Sequence, residues 1–281
     1  MEYFDERSAA FRAVLHAARE YFAVEGIHHL RVEIKRLRLL YELIDYMAPA
    51  FASKPNYSSL RNLFRAAGEL RDIDIYQAIT LSRLKTLDLS EYFNYLKNEE
   101  LHLRKSFINI ASAFSDAALT KSRRQIYSAL AIASDVRLQR LIAKKISNLV
   151  GKMNDLMNQK KQTSNRLHAV RKLSKSLRYT LDIWQVCYGK ATPIAAASDQ
   201  LKITYRRLGD WRDTLLVLES VSIFLQSEIR SGSTDPAAYA ILQNDLQQQA
   251  DLQLARYSQG RGPLQNSLDQ LASDFQKQLT Q

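Results

Sequence analysis

The chain has 281 residues, of which 46% are hydrophobic and 25% charged, a balance that fits a soluble globular protein with a proper core in one large domain or two ordinary ones. Only 8 Gly and 5 Pro are present, which disfavours a loop-rich β fold and favours long helices. Forty Lys and Arg against 29 Asp and Glu leave a formal charge of +11, a statement about partners and solubility and not about fold.

Cys187 is the sole cysteine, which excludes an intrachain disulfide and a Cys-based zinc site. No apolar run approaches the roughly 18 residues of a membrane-spanning helix. The opening MEYFDERSAAFR lacks the apolar centre of a signal peptide, so a cytoplasmic protein is expected.

Apolar residues recur at helical spacing along nearly the whole chain. The spacing predicts a first helix over 3–23, a break at Gly26, and a second helix from about Ile27 to Tyr46 closed by Pro49. Pro55, Asn56, Ser58 and Ser59 introduce a third, running to about Lys85. The segment LDLSEYF restarts a fourth, with Ser90 as its N-cap. One long helical stretch is expected from about Lys121 to Gln162, and another helix from Leu167 to Tyr188, stopped by Gly189 and Pro193. A further helix runs from about Ile194 to Arg230 and ends in SGSTDP, and two more, near 237–257 and 263–279, are separated by QGRGP.

The chain also repeats itself. Aligning His28 with His168 matches Arg31 with Arg171, Lys35 with Lys175 and Arg38 with Arg178, all offset by 140 residues. A second run follows at offset 141, pairing Arg61, Arg65, Gly68, Arg71 and Asp72 with Lys202, Arg206, Gly209, Arg212 and Asp213. Two matches in the same order imply a duplication within a single domain spanning 1–281. Its halves, 1–140 and 141–281, are each expected to be an all-α bundle of about four helices, joined within 121–162.

On a helix, His28, Arg31, Lys35 and Arg38 fall within an arc of roughly 80°. Ile27, Leu30, Ile34, Leu37, Tyr41 and Ile44 fill the adjoining arc as a core stripe, while Val32 and Leu39 flank the basic row on its other side. Cations between two apolar flanks point to a polar seam in a groove. His168, Arg171, Lys175 and Arg178 repeat the row, although Lys172 interrupts one flank. In the next helix of each half, Arg61, Arg65, Gly68 and Asp72 share a face, as do Lys202, Arg206, Gly209 and Asp213. Glycine there is expected to admit a close helix neighbour, and the aspartates to pair with arginines and orient them.

Clustered cations repel one another unless an anion fills the space between them. Arginine forks match phosphate oxygens, and lysine and histidine add compact charge. His28 and His168 open their helices with no acidic or thiol set around them, so a metal site is not expected.

The pattern H-x-x-R-x-x-x-K-x-x-R, present twice from His28 and His168, with a basic segment ending in R-D at Asp72 and Asp213, resembles the CHAD family, the conserved histidine α-helical domain. The resemblance covers nearly the whole chain. It implies two four-helix bundles related by pseudo-twofold symmetry, with inorganic polyphosphate held in a basic channel between or along them and an association with polyphosphate granules. Carried over by position, His28, Arg31, Lys35 and Arg38 would line one side and His168, Arg171, Lys175 and Arg178 the other. Arg61, Arg65, Lys202 and Arg206 would contribute from the next helices. The second copy departs from the first in carrying Ser176 after Lys175, where the first has Arg36 after Lys35. Many relatives carry a β-barrel triphosphatase domain marked by E-x-E-x-K. Here only Val-Glu-Ile-Lys stands at 32–35, in a helical stretch, so a stand-alone module is expected.

Three alternatives stand beside polyphosphate or a similar polyanion. A nucleic-acid binder would use the same cations and stack bases on Tyr41, Tyr179 or Tyr205, although those tyrosines are also at core spacing. An enzyme would need a phosphate loop, an H-E-x-x-H pair, a nucleophile elbow or paired carboxylates beside the basic rows, and none is found; neither catalysis nor a cofactor is expected. A helical scaffold would neutralise its basic rows internally.

Overall fold

The computed structural model describes residues 1–20, 24–159, 161, 163–189, 192–228 and 236–280. The described residues form ten helices and no strand: α1 (Glu2–Glu20), α2 (Val24–Met47), α3 (Ser53–Leu81), α4 (Ser90–Ser112), α5 (Ala117–Leu130), α6 (Asp135–Asn158), α7 (Ser164–Tyr188), α8 (Thr192–Glu228), α9 (Pro236–Gln259) and α10 (Arg261–Thr280).

The all-α architecture is as expected, with three local differences. Gly26 does not break a helix: it lies in the first turn of α2, where a Cβ would come within 4.0 Å of the Cα of Ala18, so it sits where α1 crosses close by. Residues 21–23, which separate the two helices, lie outside the described residues. Ser90 is not the N-cap of α4: its hydroxyl and amide both donate to Asp88, whose carboxylate takes the capping role. The stretch expected from Lys121 to Gln162 holds two helices, α5 and α6, because Ser134 caps a new start by accepting from the Arg137 amide; residues 160 and 162 lie outside the described residues. Gly189 ends α7 as expected, in the positive-φ region at φ 91° that an L side chain rarely adopts.

Helices adjacent in sequence pack together, α1 through α4 in one set and α6 through α9 in the other, with α10 closing against α6 and α8. α5 is tied to the first set by the ion pairs Arg123–Asp5 and Arg12–Asp116 and by Ser122 donating to Asn56. The sets meet where α2 lies on α7 and α3 on α8. One continuous core crosses that junction. Leu30, Ile34, Leu37 and Tyr41 of α2 and Leu177 and Leu181 of α7 are all fully buried within it. Each such side chain contributes about 1.5–3 kcal/mol of burial, so the apolar stripes fix how α2 and α7 are rotated. A smaller second core, built on Tyr92, Leu96, Val221 and Leu242, joins the far ends of α3, α4, α8 and α9.

Several basic residues serve the helices themselves. Arg166 is buried and donates to the carbonyls of Leu156 and Met157 in the last turn of α6 and of Lys161 beyond it, and Arg261 also donates to Met157. Arg19 reaches Ala111 at the end of α4, and Arg207 reaches Arg256 at the end of α9. These carbonyls have no partner within their own helices, and a cation there also opposes the helix dipole.

Candidate functional site: a cation-lined cleft

With its apolar stripe buried, α2 turns Arg31, Lys35 and Arg38 toward the junction, and α7 turns Arg171 and Lys175 toward it from the other side. Between them lies a cleft of about 1110 Å³, which Lys152 of α6, Lys172 and His168 of α7 and Arg212 of α8 also line. A second lobe of about 700 Å³ opens toward α3 and is lined by Lys54, Arg61 and Arg65. Arg31, Arg38, Glu42, Phe64 and Asp72 line both lobes, which makes one continuous recess.

Arg31 lies against α3. Its Nη1 donates to the carbonyl of Phe64 at 3.2 Å, and its guanidinium lies 4.7 Å from the centre of the Phe64 ring. Gly68 makes room for it: a Cβ there would overlap Nη1 and come within 3.2 Å of Cζ. The glycine therefore admits an arginine side chain rather than the close helix neighbour expected from the sequence. Arg171 rests over Gly209 more loosely, with 3.7 Å between Nε and the site of a Cβ. That Nε is buried and has no protein acceptor.

The lysines repeat this correspondence. Lys35 Nζ lies 5.5 Å from the Phe64 ring and Lys175 Nζ 5.2 Å from that of Tyr205. Burial, reinforced by the neighbouring cations, lowers the Lys35 amine to about 7. The same causes lower Lys175 to about 8. His28 and His168 are also pushed below their ordinary value, first by burial and then by nearby cations.

Asp72 and Asp213 are the counter-charges. Their fields cross between the two sets: Asp72 acts on Arg31 and also on Arg212 of α8, while Asp213 acts on Arg171 and also on Arg71 of α3. Neither makes the direct ion pair with an arginine that the sequence suggested. Each instead stands among several cations with its carboxyl raised by burial, so no single arginine captures it.

Of the twelve predicted residues, Arg31, Lys35, Arg38, His168, Arg171 and Lys175 line the larger lobe, and Arg61 and Arg65 the smaller. His28 lies outside the lining but within the field of Arg71, Lys35 and Lys175. Arg178 is drawn aside by the Tyr205 hydroxyl at 3.0 Å. Lys202 and Arg206 are exposed and line neither lobe. Arg36 also points elsewhere, into an ion pair with Glu33 at 2.6 Å.

Sequence reasoning missed Arg212, Lys172, Lys152 and Lys54 as lining residues. The signal for Arg212 was the repeated R-D pair. Lys172 was visible as an interruption of an apolar flank, whereas nothing local marked Lys152 on the joining helix. Among the described residues, no group of three or more His, Cys, Asp or Glu side chains is arranged to hold a metal ion, and no helix is long and apolar enough to cross a membrane.

The family model for the CHAD domain matches residues 2–222. Comparison with curated proteins by sequence found no match. Among solved structures, the fold is similar to the crystal structure of the CHAD domain from the plant Ricinus communis, with a TM-score of 0.72 at 18% identity over 93% of this chain and 89% of that one. A family match over most of the length, on a fold shared with a solved member, places the chain in the CHAD family.

Proposed function

We infer that the cleft binds inorganic polyphosphate, or a polyanion of like charge density, by electrostatics and without cleaving it. One observation carries this reading. Of the ten Arg and Lys residues among the twelve predicted, Arg38 alone has a direct ion pair among the described residues, with Glu42 at 2.8 Å. A scaffold would have matched its buried cations with carboxylates. Here Lys35, Lys175, Arg31 and Arg171 converge with two aspartates at a distance, which is unfavourable until an anion enters. The Arg171 N–H without an acceptor is a further demand of the same sign, since leaving such a group buried costs about 1–3 kcal/mol.

Nucleic acid is the weaker reading. Tyr41 and Tyr179 are buried in the protein, and the Tyr205 ring is already covered by Lys175 and Arg178, which leaves none of the three free to stack a base. The two corresponding sets of cations would be the halves of an internal duplication, joined within 121–162. A cytoplasmic protein associated with polyphosphate granules fits this function.

The test is binding of the purified chain to long-chain polyphosphate across a salt series, with duplex DNA and single-stranded RNA as competitors. Affinity should fall with salt as counterions are released, and polyphosphate should win the competition. A folded Arg31→Glu/Arg171→Glu variant should lose binding. If nucleic acid wins, or the variant binds as tightly, the reading fails.

A further inference from the structure

Lys35 and Lys175 face one another across the junction, and neither has a hydrogen bond or ion pair among the described residues. Each amine has an aromatic ring where water would otherwise solvate it. The groups that face the pair come from every side. α2 supplies Arg31 and His28, α7 supplies Arg171, and α3 and α8 supply Asp72 and Asp213. α6 adds Lys152 and Asp155 at the margin of the same cleft. α1 directs Arg7 to Glu33, away from the cleft.

We propose that filling of this cleft by a polyanion is coupled to proton uptake at Lys35 and Lys175. The free site then carries less charge than its residues imply, and it holds its ligand more tightly as pH falls. The proposal rests on the binding reading above and adds its regulation.

The chemistry is asymmetric among the cations. An arginine keeps its proton, so the guanidiniums present a fixed charge to every ligand. A lysine amine can release its proton when cations crowd it and water is removed. Both amines titrate at about 7 and 8 in the free protein, within the range of ordinary conditions. Phosphate oxygens entering between them reverse the local field and restore the ordinary preference for the ammonium form. Each proton released by the solvent to the site passes to an amine lone pair, and no other bond is made or broken. The histidines, held below their usual 6.5, titrate at lower pH and leave the window above pH 7 to the lysines.

Calorimetric titration of the full chain with long-chain polyphosphate, near pH 8 in buffers of different ionisation enthalpy, reads the protons taken up. Between one and two protons per filled site are expected, with affinity falling by about two orders of magnitude or more between pH 7 and pH 9. A Lys35→Arg/Lys175→Arg variant, whose charge is permanent, should lose the uptake. Polyphosphate that binds without uptake overturns the coupling and leaves the binding reading intact, whereas no binding overturns both. Uptake that persists in the arginine variant overturns the assignment to these two residues. Should that variant fail to fold, a lysine side-chain NMR titration of the free wild-type protein decides: two amines titrating near neutrality support the proposal, and all titrating above pH 10 overturn it.

Discussion

The guanidinium of Arg31 occupies the volume that a side chain at position 68 would fill, so Gly68 is the seat of Arg31. The corresponding seat at Gly209 holds Arg171 at ordinary contact distance, 3.7 Å from where a Cβ would stand. The two glycines therefore predict different outcomes for one substitution. Gly209→Ala should stabilise α8 by about 0.5–1 kcal/mol, the usual helix gain, and leave binding unchanged within about twofold. Gly68→Ala should gain less, because Arg31 must leave the Phe64 carbonyl, and should weaken polyphosphate binding by about 5–10-fold. Thermal melts and binding isotherms of the two single variants check both.

Lys35 gives a stability prediction with a definite sign. Its folded-state value of about 7 lies below that of an unfolded lysine, so the unfolded chain holds more protons between those two values. The lysine therefore opposes folding most at low pH, and the opposition fades as pH rises from 7 toward 10. Replacing it by Met should raise the stability of the free protein by about 1–3 kcal/mol near pH 6, and by less near pH 9.5. Denaturant midpoints of both proteins at the two pH values test this.

Asp72 and Asp213 moderate repulsion across the junction. Burial raises both carboxyls even with the arginines beside them, so Asp72→Asn with Asp213→Asn should leave the free protein as stable near pH 7, or up to about 1 kcal/mol more stable. Added tripolyphosphate should raise the melting temperature more in this variant than in the wild type, because the cleft then carries more net positive charge. A melt series with and without tripolyphosphate reads the difference.

Arg166 separates cations that hold the fold from cations that face a ligand. Arg166→Ala removes donors to three carbonyls near the end of α6 and should cost about 2–4 kcal/mol. The fraction that remains folded should bind polyphosphate as the wild type does, because Arg166 lines neither lobe. Chemical denaturation and a binding isotherm on the same preparation give both numbers.

The fold class was legible because periodicity and scarce Gly and Pro reported directly on it. The basic rows of α2 and α7 were legible because a repeated spacing fixes which residues share a face. What a sequence does not carry is anything set by a partner in space. Arg178 had the right arc, yet the Tyr205 hydroxyl draws it off, and no local pattern announces a hydrogen bond 27 residues away. Lys202 and Arg206 matched by alignment to Arg61 and Arg65, but position in a repeat does not say how far a helix stands from the cleft. The split of 121–162 into α5 and α6 turned on one side chain, Ser134, accepting from one amide, within a stretch of otherwise good helix formers. Lys152 was invisible because only the packing of α6 against α7 brings it to the cleft.

The arginines that close the ends of α4, α6 and α9 bear on how such a sequence can diverge. Arg19, Arg207 and Arg261 each reach a carbonyl from a distant stretch of chain, and Arg166 reaches back from the next helix, which a shorter or non-planar cation would do less well. Drift from arginine to lysine at these places would preserve the isoelectric point and the surface potential while loosening the joints between helices. Two descendants of equal charge could thus differ widely in thermal tolerance. The proportion of arginine to lysine in this chain is therefore set partly by its architecture, independently of anything it holds.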